Sequence, residues 1–211
     1  MNDETRKRTR LPADVRARQL LDAALVEFSE HGFAATRIED IAHRAGLSKS
    51  GVYAHYASKE AMFEGLLAHV MQPPDDAPMP LPADADSVET LVEQFIDRAY
   101  TRMADPRVLG MLRLMVAESA RMPALIQRWH SSFVVGFHRS QADILKRAVE
   151  RGVIRSGPMT AHFPLAYAPV LYAAISQIVT GQPALTDPAT REAHARMMVD
   201  ALRPASRSGG R

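Results

Sequence analysis

Apolar residues recur with a helical period along nearly the whole of this chain, and no stretch alternates apolar with polar as a half-buried strand must. Glycine and proline fall between the periodic segments. The fold that follows is all-α, with about nine helices. The first is expected over about 14–30, with Leu21, Ala24, Leu25 and Phe28 on one face and Gly32 as its stop. Thr36 then opens T-R-I-E, a capping box in which the Thr36 hydroxyl meets one orphan amide and Glu39 reaches back to another. A second helix follows over about 37–45, buries Ile38, Ile41 and Ala45, and ends at Gly46. Ser48 caps a third over about 49–56. Ser58 caps a fourth, whose Met62, Phe63, Leu66, Leu67 and Val70 are apolar.

Residues 73–86, PPDDAPMPLPADAD, hold five of the chain's fourteen prolines and four aspartates. Such a stretch cannot continue a helix and reads as a linker, or equally as a long loop within one domain. It sets a small unit, 14–72, apart from a larger helical one, 87–203. Helices are expected there over 87–104, 106–120, 123–151, 164–180 and from Asp187-Pro188 to Pro204. The ends, 1–13 and 204–211, are basic: Arg6, Lys7, Arg8 and Arg10 at one, Arg207 and Arg211 with nearby Arg203 at the other. Taken alone each reads as a solvated disordered end. The net charge of +2 and pI near 9.1 hint only weakly at an anionic partner.

The chain has no cysteine, which excludes disulfides, Cys-ligated zinc and thiol catalysis. MNDETRKRTR has no apolar core of the kind a secretory signal needs. The longest apolar run, Leu165 to Ile175, is short for a bilayer and contains Pro169. A cytoplasmic protein with no membrane partner is expected.

The chemistry concentrates in residues 46–60, GLSKSGVYAHYASKE. Two short helices separated by Gly46 describe a helix-turn-helix. Ile38, Ile41, Ala45, Leu47 and Val52 form its inner seam. Its outer face is Lys49, Ser50, Tyr53 and His55, with Ser48 at the amino end. A helix N-terminus offers amides and partial positive charge to a phosphate. Lys49 and Lys59 add point charges, and the hydroxyls and ring edges of Tyr53 and Tyr56 suit phosphates and thymine methyls. Glycine inside a helix costs about 0.5–1 kcal/mol against alanine. Gly51 is accepted, on this reading, because the backbone must approach a partner closely. Competing motifs fail on spacing. GLSKSG has a G-x4-G frame, but Val52 and Tyr53 stand where a phosphate loop needs Lys and Ser/Thr. No G-x-S-x-G or H-E-x-x-H occurs, and His130 and His138, eight apart, have no third metal ligand in pattern. No catalytic residue, metal site or cofactor is expected.

The span from Leu21 to Leu67 resembles the DNA-binding domain of tetracycline-repressor (TetR) type regulators: the GF…T turn, IA..AG, S-K…VY.HY and SKE follow in order and spacing. The resemblance implies phosphate contacts from Thr36, Arg37 and Lys59. It implies that Ser48, Lys49, Ser50, Tyr53 and His55 lie in or beside the major groove, with Tyr56 mostly packed inward. Where family members often carry glycine then threonine, this chain has Ser50 then Gly51, which leaves Ser50 to supply the hydroxyl.

The second half is rich in flexible and aromatic side chains. Met103, Met111, Met115, Trp129, His130, Phe133, Phe137 and Tyr167 are candidate walls of a pocket for a hydrophobic or aromatic small molecule, with Arg113, Glu118 and His138 as further polar intrusions. For any one of them, ordinary core packing is the simpler role. The segment 164–180 is apolar all round, so it needs burial on two sides. Leu171, Ile175 and Ile178, with Ala193, Met197 and Ala201 of the last helix, are candidates for a four-helix homodimer interface, the arrangement the resemblance also implies. The expected function is a dimeric regulator, a repressor released from a palindromic operator on double-stranded DNA by its effector. A ligand-binding dimer whose DNA domain activates or is vestigial, or an all-α enzyme, are the alternatives.

Overall fold

A computed structural model describes residues 12–72 and 80–204. The basic arm and tail lie almost wholly outside the described residues, as does the first half of the linker. The expectation of an all-α fold holds: among the described residues there is no strand. The chain divides into two compact units, 1–70 and 71–211, so the first ends two residues earlier than expected.

The first unit contains α1 (Ala13–Ala35), α2 (Ile38–Arg44), α3 (Lys49–Tyr53) and α4 (Lys59–Met71). Gly32, at φ 75°, breaks α1 where the sequence places its stop, and one further turn follows. Phe28 and Phe33, on either side of that break, meet Phe63 of α4; the three ring pairs are 5.4, 5.8 and 5.4 Å apart. Rings so placed contribute about 0.5–1.5 kcal/mol per pair beyond the area they bury. Leu20, Ala24, Ile41, Val52, Met62, Leu66 and Leu67 complete this core.

The capping box of the second helix is not the one expected. Thr36 is only 2 % exposed, and its hydroxyl sits 2.8 Å from the Gly32 carbonyl and 3.0 Å from that of Glu27, closing the bend of α1 from within. The cap passes to Arg37, whose N–H donates to Asp40 Oδ2 at 3.2 Å. The helix therefore begins one residue later, and Glu39 is left to pair elsewhere.

The second unit runs α5 (Val88–Ala104), α6 (Pro106–Glu118), α7 (Pro123–Trp129), a π-turn (His130–Val134), α8 (Val135–Glu150), α9 (Pro158–Ala161), α10 (Phe163–Thr180), a 3₁₀ turn (Ala184–Thr186) and α11 (Pro188–Leu202). Ser87, Asp105 and Asp187 accept first-turn amides of α5, α6 and α11, and proline stands in the first turn of α6, α7 and α11. The long helix expected over 123–151 is interrupted by the π-turn, and a single turn forms at α9. The described end of the linker is not free: Leu81 and Ala85 are buried in this unit, Leu81 N–H donates to Gln141 Oε1, and Arg151 holds the Ala85 carbonyl at 2.8 Å. Burial of these apolar side chains outweighs the extended, polar character of their neighbours.

Helix α10 buries Phe163, Ala166, Val170, Ala173 and Ala174 against its own unit and stops at left-handed Gly181. Its opposite face is open. Among the described residues α10 is the one helix long and apolar enough, by length and composition alone, to cross a membrane, a character that core helices of soluble bundles share.

One buried polar tie joins α5, α10 and α11. His194, 3 % exposed, has Nε2 3.1 Å from the Ala166 carbonyl and Nδ1 3.2 Å from the Tyr100 hydroxyl. A carbonyl only accepts, so Nε2 carries the proton and Nδ1 accepts from Tyr100. Burial holds the imidazole pKa below its usual 6.5, although the bond to Ala166 partly opposes this. Between the folded and unfolded values the unfolded chain binds more protons. Stability from this tie is therefore complete above pH 6.5 and declines as pH falls below it. Urea midpoints measured from pH 7.5 to 5 are expected to fall below 6.5, and less steeply in His194→Gln; equal slopes would remove His194 as the cause.

Candidate nucleic-acid interface and helical-core site

Helix α2, a turn through Gly46 at φ 65°, and α3 build a helix-turn-helix. Leu47 N–H closes the end of α2 on the Ala42 carbonyl at 2.8 Å. The inner seam is Ile38, Ile41, Ala42 and Val52, all buried, with Ala45 and Leu47 half-buried beside them. Ser48 Oγ accepts from Gly51 N–H at 3.1 Å and lies 3.0 Å from Ser50 Oγ. A Cβ on Gly51 would sit 3.3 Å from that same Ser48 oxygen. A side chain at 51 is therefore accommodated only if the Ser48 hydroxyl gives by a few tenths of an ångström.

Helix α3 has five residues rather than the expected eight. Just beyond its end Tyr56 turns its ring onto Gly65 of α4, so closely that a Cβ there would come within 2.7 Å of Tyr56 Cε1. Desolvation in that position raises the Tyr56 hydroxyl pKa. Ser48, Lys49, Ser50, Tyr53 and His55 share the outer surface; all are exposed, Tyr53 to 46 %. Arg37 is exposed too, whereas Gly51 is half-buried. Lys49 Nζ lies 2.6 Å from Glu39 Oε1 of α2. Their hydrogen bond lowers the carboxyl pKa of Glu39 and raises that of the Lys49 ammonium.

Two residues with implied phosphate contacts are engaged inside the unit. Thr36 is the buried tie described above. Lys59 Nζ donates to three carbonyls at the end of α1, Phe33 at 2.6 Å, Thr36 at 2.9 Å and Ala34 at 3.2 Å, and lies 4.6 Å from the centre of the Phe33 ring. A helix C-terminus presents unpaired carbonyls and partial negative charge, so an ammonium is well matched there. A third cluster was not anticipated: Glu27, Glu30 and His31 offer ligand atoms within 4.8 Å of one another. Arg44 already binds these carboxylates, at 2.6 Å from Glu27 and 2.9 Å from Glu30, and offsets part of their charge.

In the second unit the candidate pocket residues separate into two groups. Met103, Met111 and Met115 are buried in α5 and α6. Trp129, Phe133, Phe137 and Tyr167 are half-buried and form a ladder, while His130 points to the exposed side. Ring centres are 5.9 Å apart for Trp129–Phe133 and 6.1 Å for Phe133–Phe137, both stacked. Phe137 then meets Phe163 and Tyr167 at 5.8 and 6.3 Å. Phe95, legible in the sequence only as part of the apolar face of α5, closes the cluster at 6.2 Å from both. Burial, aided by nearby His130, lowers the His138 pKa, and desolvation pushes the Tyr167 hydroxyl up to about 12.

Of the candidate interface residues, Leu171, Ile175, Ala193 and Met197 are exposed and Ile178 and Ala201 half-buried. Tyr172 and Val179 extend the same face, 75 and 77 % exposed, and were legible only as part of an all-apolar helix.

Comparison with known proteins agrees along the chain. Residues 20–66 match the family model for bacterial regulatory proteins of the tetR family, and residues 82–202 the model for the tetracyclin repressor-like C-terminal domain. An HTH-type transcriptional repressor of Streptomyces coelicolor, SCO4008, is 33 % identical over 101 residues, 48 % of this chain and 49 % of its own. The regulator RutR of Escherichia coli is 39 % identical over 67 residues, 32 % of this chain and 31 % of its own. The activator FasR of Mycolicibacterium smegmatis is 42 % identical over 62 residues, 29 % of this chain and 28 % of its own. The chain thus spans half the length of these curated relatives or less. A crystal structure described as a putative TetR-family regulator from Mesorhizobium loti superposes with a TM-score of 0.71, covering 90 % of this chain and 98 % of that one at 22 % identity. A TetR regulator structure from Haloarcula marismortui gives 0.72, covering 90 and 100 % at 15 % identity. These matches are transcriptional regulators, not enzymes.

Proposed function

Because the chain belongs to the tetR family of bacterial regulatory proteins, we propose that it acts in the cytoplasm as a homodimer on a two-fold symmetric operator and leaves it when a hydrophobic or aromatic effector binds the second unit. The observation that carries this is the outer face of α3, where Ser48, Lys49, Ser50, Tyr53 and His55 are exposed together while Val52 behind them is fully buried. A polar aromatic and a cation side by side on an exposed helix suit base edges and phosphates. Arg37 adds a positive charge at the start of α2. Two such faces would enter successive major grooves, about 34 Å apart for one helical turn.

The open faces of α10 and α11 support pairing of two copies, and the aromatic ladder supports an effector. An effector need only prefer one form of the dimer. A differential affinity of about 1.4 kcal/mol gives tenfold release, within the usual coupling range of about 1–3 kcal/mol. Repression is the reading we favour; the relatives include an activator, and a reporter gene behind the operator gives the sign.

Titrating labelled operator by fluorescence anisotropy tests the interface. Tyr53→Ala is expected to weaken binding about tenfold or more, the loss of roughly one base contact worth 1–3 kcal/mol. Lys49→Ala is expected to lower the slope of log affinity against log salt by about one. Unchanged affinity and slope in both variants would place the DNA contact elsewhere.

A further inference from the structure

Two buried donors in the second unit narrow the chemistry of what it binds. Trp129, Phe133, Phe137 and Gln141 follow one another at four-residue spacing along α7, the π-turn and α8. Residues four apart share a helical face. The π-turn adds its residue between the first two without breaking the stack: the ring planes are inclined by only 28° and then 18°. Such turns are frequent at functional sites. The three rings are each only half-buried, so an added molecule can reach them.

At one end of the stripe the indole Nε1–H of Trp129 is buried and has no acceptor in the protein. At the other, Gln141 is fully buried; its Oε1 accepts from Leu81 N–H at 3.1 Å, which fixes the amide orientation, and its Nε2 has no acceptor. Among the described residues these are the two buried side-chain polar atoms without a partner. Native proteins keep few such groups, because an unpaired buried donor is costly. Both atoms can only donate. The Tyr167 hydroxyl, next along the cluster, also carries a proton at neutral pH, and desolvation raises its pKa to about 12. Half-buried rings flanked by two buried, unsatisfied donors favour a ligand that carries an acceptor.

We infer that the second unit takes a planar, ring-bearing molecule with a carbonyl acceptor, of the aromatic ketone or quinone class, its oxygen received by the Trp129 indole N–H and its rings against Phe133 and Phe137. This rests on the effector reading above and adds to it the polarity the effector must carry. A molecule whose polar groups only donate leaves both of these donors unpaired.

The test uses two molecules of one shape, 9-fluorenone, which carries the carbonyl, and fluorene, which lacks it. Trp129 is the chain's only tryptophan, so its emission reports binding to the intact protein without a label. Fluorenone is expected to quench that emission saturably and to bind about tenfold more tightly than fluorene by calorimetry, one buried hydrogen bond. Trp129→Phe keeps a ring and removes the donor; it is expected to reduce the preference to about twofold or less while leaving fluorene affinity unchanged. Phe133→Ala is expected to weaken both. Equal affinities in the wild type, or a preference that survives in Trp129→Phe, overturns the acceptor inference and leaves an aromatic effector standing. Absence of binding by either compound overturns the effector reading for this ladder and the inference with it.

Discussion

Lys59→Met is expected to lower the unfolding free energy of the first unit by about 2–3 kcal/mol, because hydrogen bonds to charged groups are each worth about 1.5–3 kcal/mol before partial exposure discounts them. One ammonium holds the carbonyls of Phe33, Ala34 and Thr36, and these lie in the corner where α1 gives way to α2. Methionine keeps most of the aliphatic stem and removes the donors. The three carbonyls then lose a charged partner, and the attraction to the Phe33 ring goes with it. The same corner carries the buried Thr36 hydroxyl, so the start of α2 loosens, and α2 supports α3. Guanidinium denaturation of the full chain, followed by helical signal, reads the change as an earlier first transition. A Lys59→Met protein that unfolds like the wild type but loses operator affinity and about one unit of salt slope would instead make Lys59 a phosphate contact, as the family resemblance implies.

The second large effect concerns pairing of two copies. Ile175→Glu combined with Val179→Glu is expected to weaken self-association about a thousandfold or more, since full burial of each such side chain is worth about 1.5–3 kcal/mol and a two-fold interface uses each twice. Leu171, Tyr172, Ile175 and Val179 form one exposed apolar face of α10, with Met197 exposed on α11. A patch of this kind on a folded protein marks a surface that something covers. A glutamate placed there is tolerated by a monomer, because the positions are already open to water. It is not tolerated in an interface, where two carboxylates would approach their copies across the axis. Sedimentation equilibrium across a hundredfold range of concentration distinguishes the cases. The double variant is expected to remain folded and monomeric where the wild type is dimeric, and to lose most of its operator affinity. An unchanged dimer would place the interface on another face.

Much of this was legible in the chain. Gly32, Gly46 and Gly181 end helices where the periodicity runs out, each with positive φ, and Ser48, Ser58, Ser87 and Asp187 cap the ones that follow. Local signals act over three or four residues, and there the sequence is a reliable guide. What failed was tertiary. T-R-I-E satisfies a capping box on paper, but a threonine hydroxyl bonds a carbonyl of the preceding helix as readily, and burial of Thr36 decides for the latter. A lysine at the start of α4 looks like a solvated charge, and only the fold brings three α1 carbonyls to it. Gly51 reads in the sequence as room for a partner, and the fold adds a second tight neighbour there, the Ser48 hydroxyl. The π-turn leaves no mark in an apolar pattern, since one added residue per turn shifts the period too little to read. The aromatic stripe was visible residue by residue, yet its two unpartnered donors became apparent only with every neighbour in place.

The function of this protein turns on whether it reads a symmetric DNA site. The most direct measurement is selection of bound duplexes from random DNA by the purified full chain, repeated at two salt concentrations. The predicted result is an enriched near-palindrome with half-sites about one helical turn apart, bound by two copies and weakening steeply as salt rises. No enriched sequence, or binding that salt abolishes without regard to sequence, would contradict it and leave the exposed face of α3 without the role assigned to it.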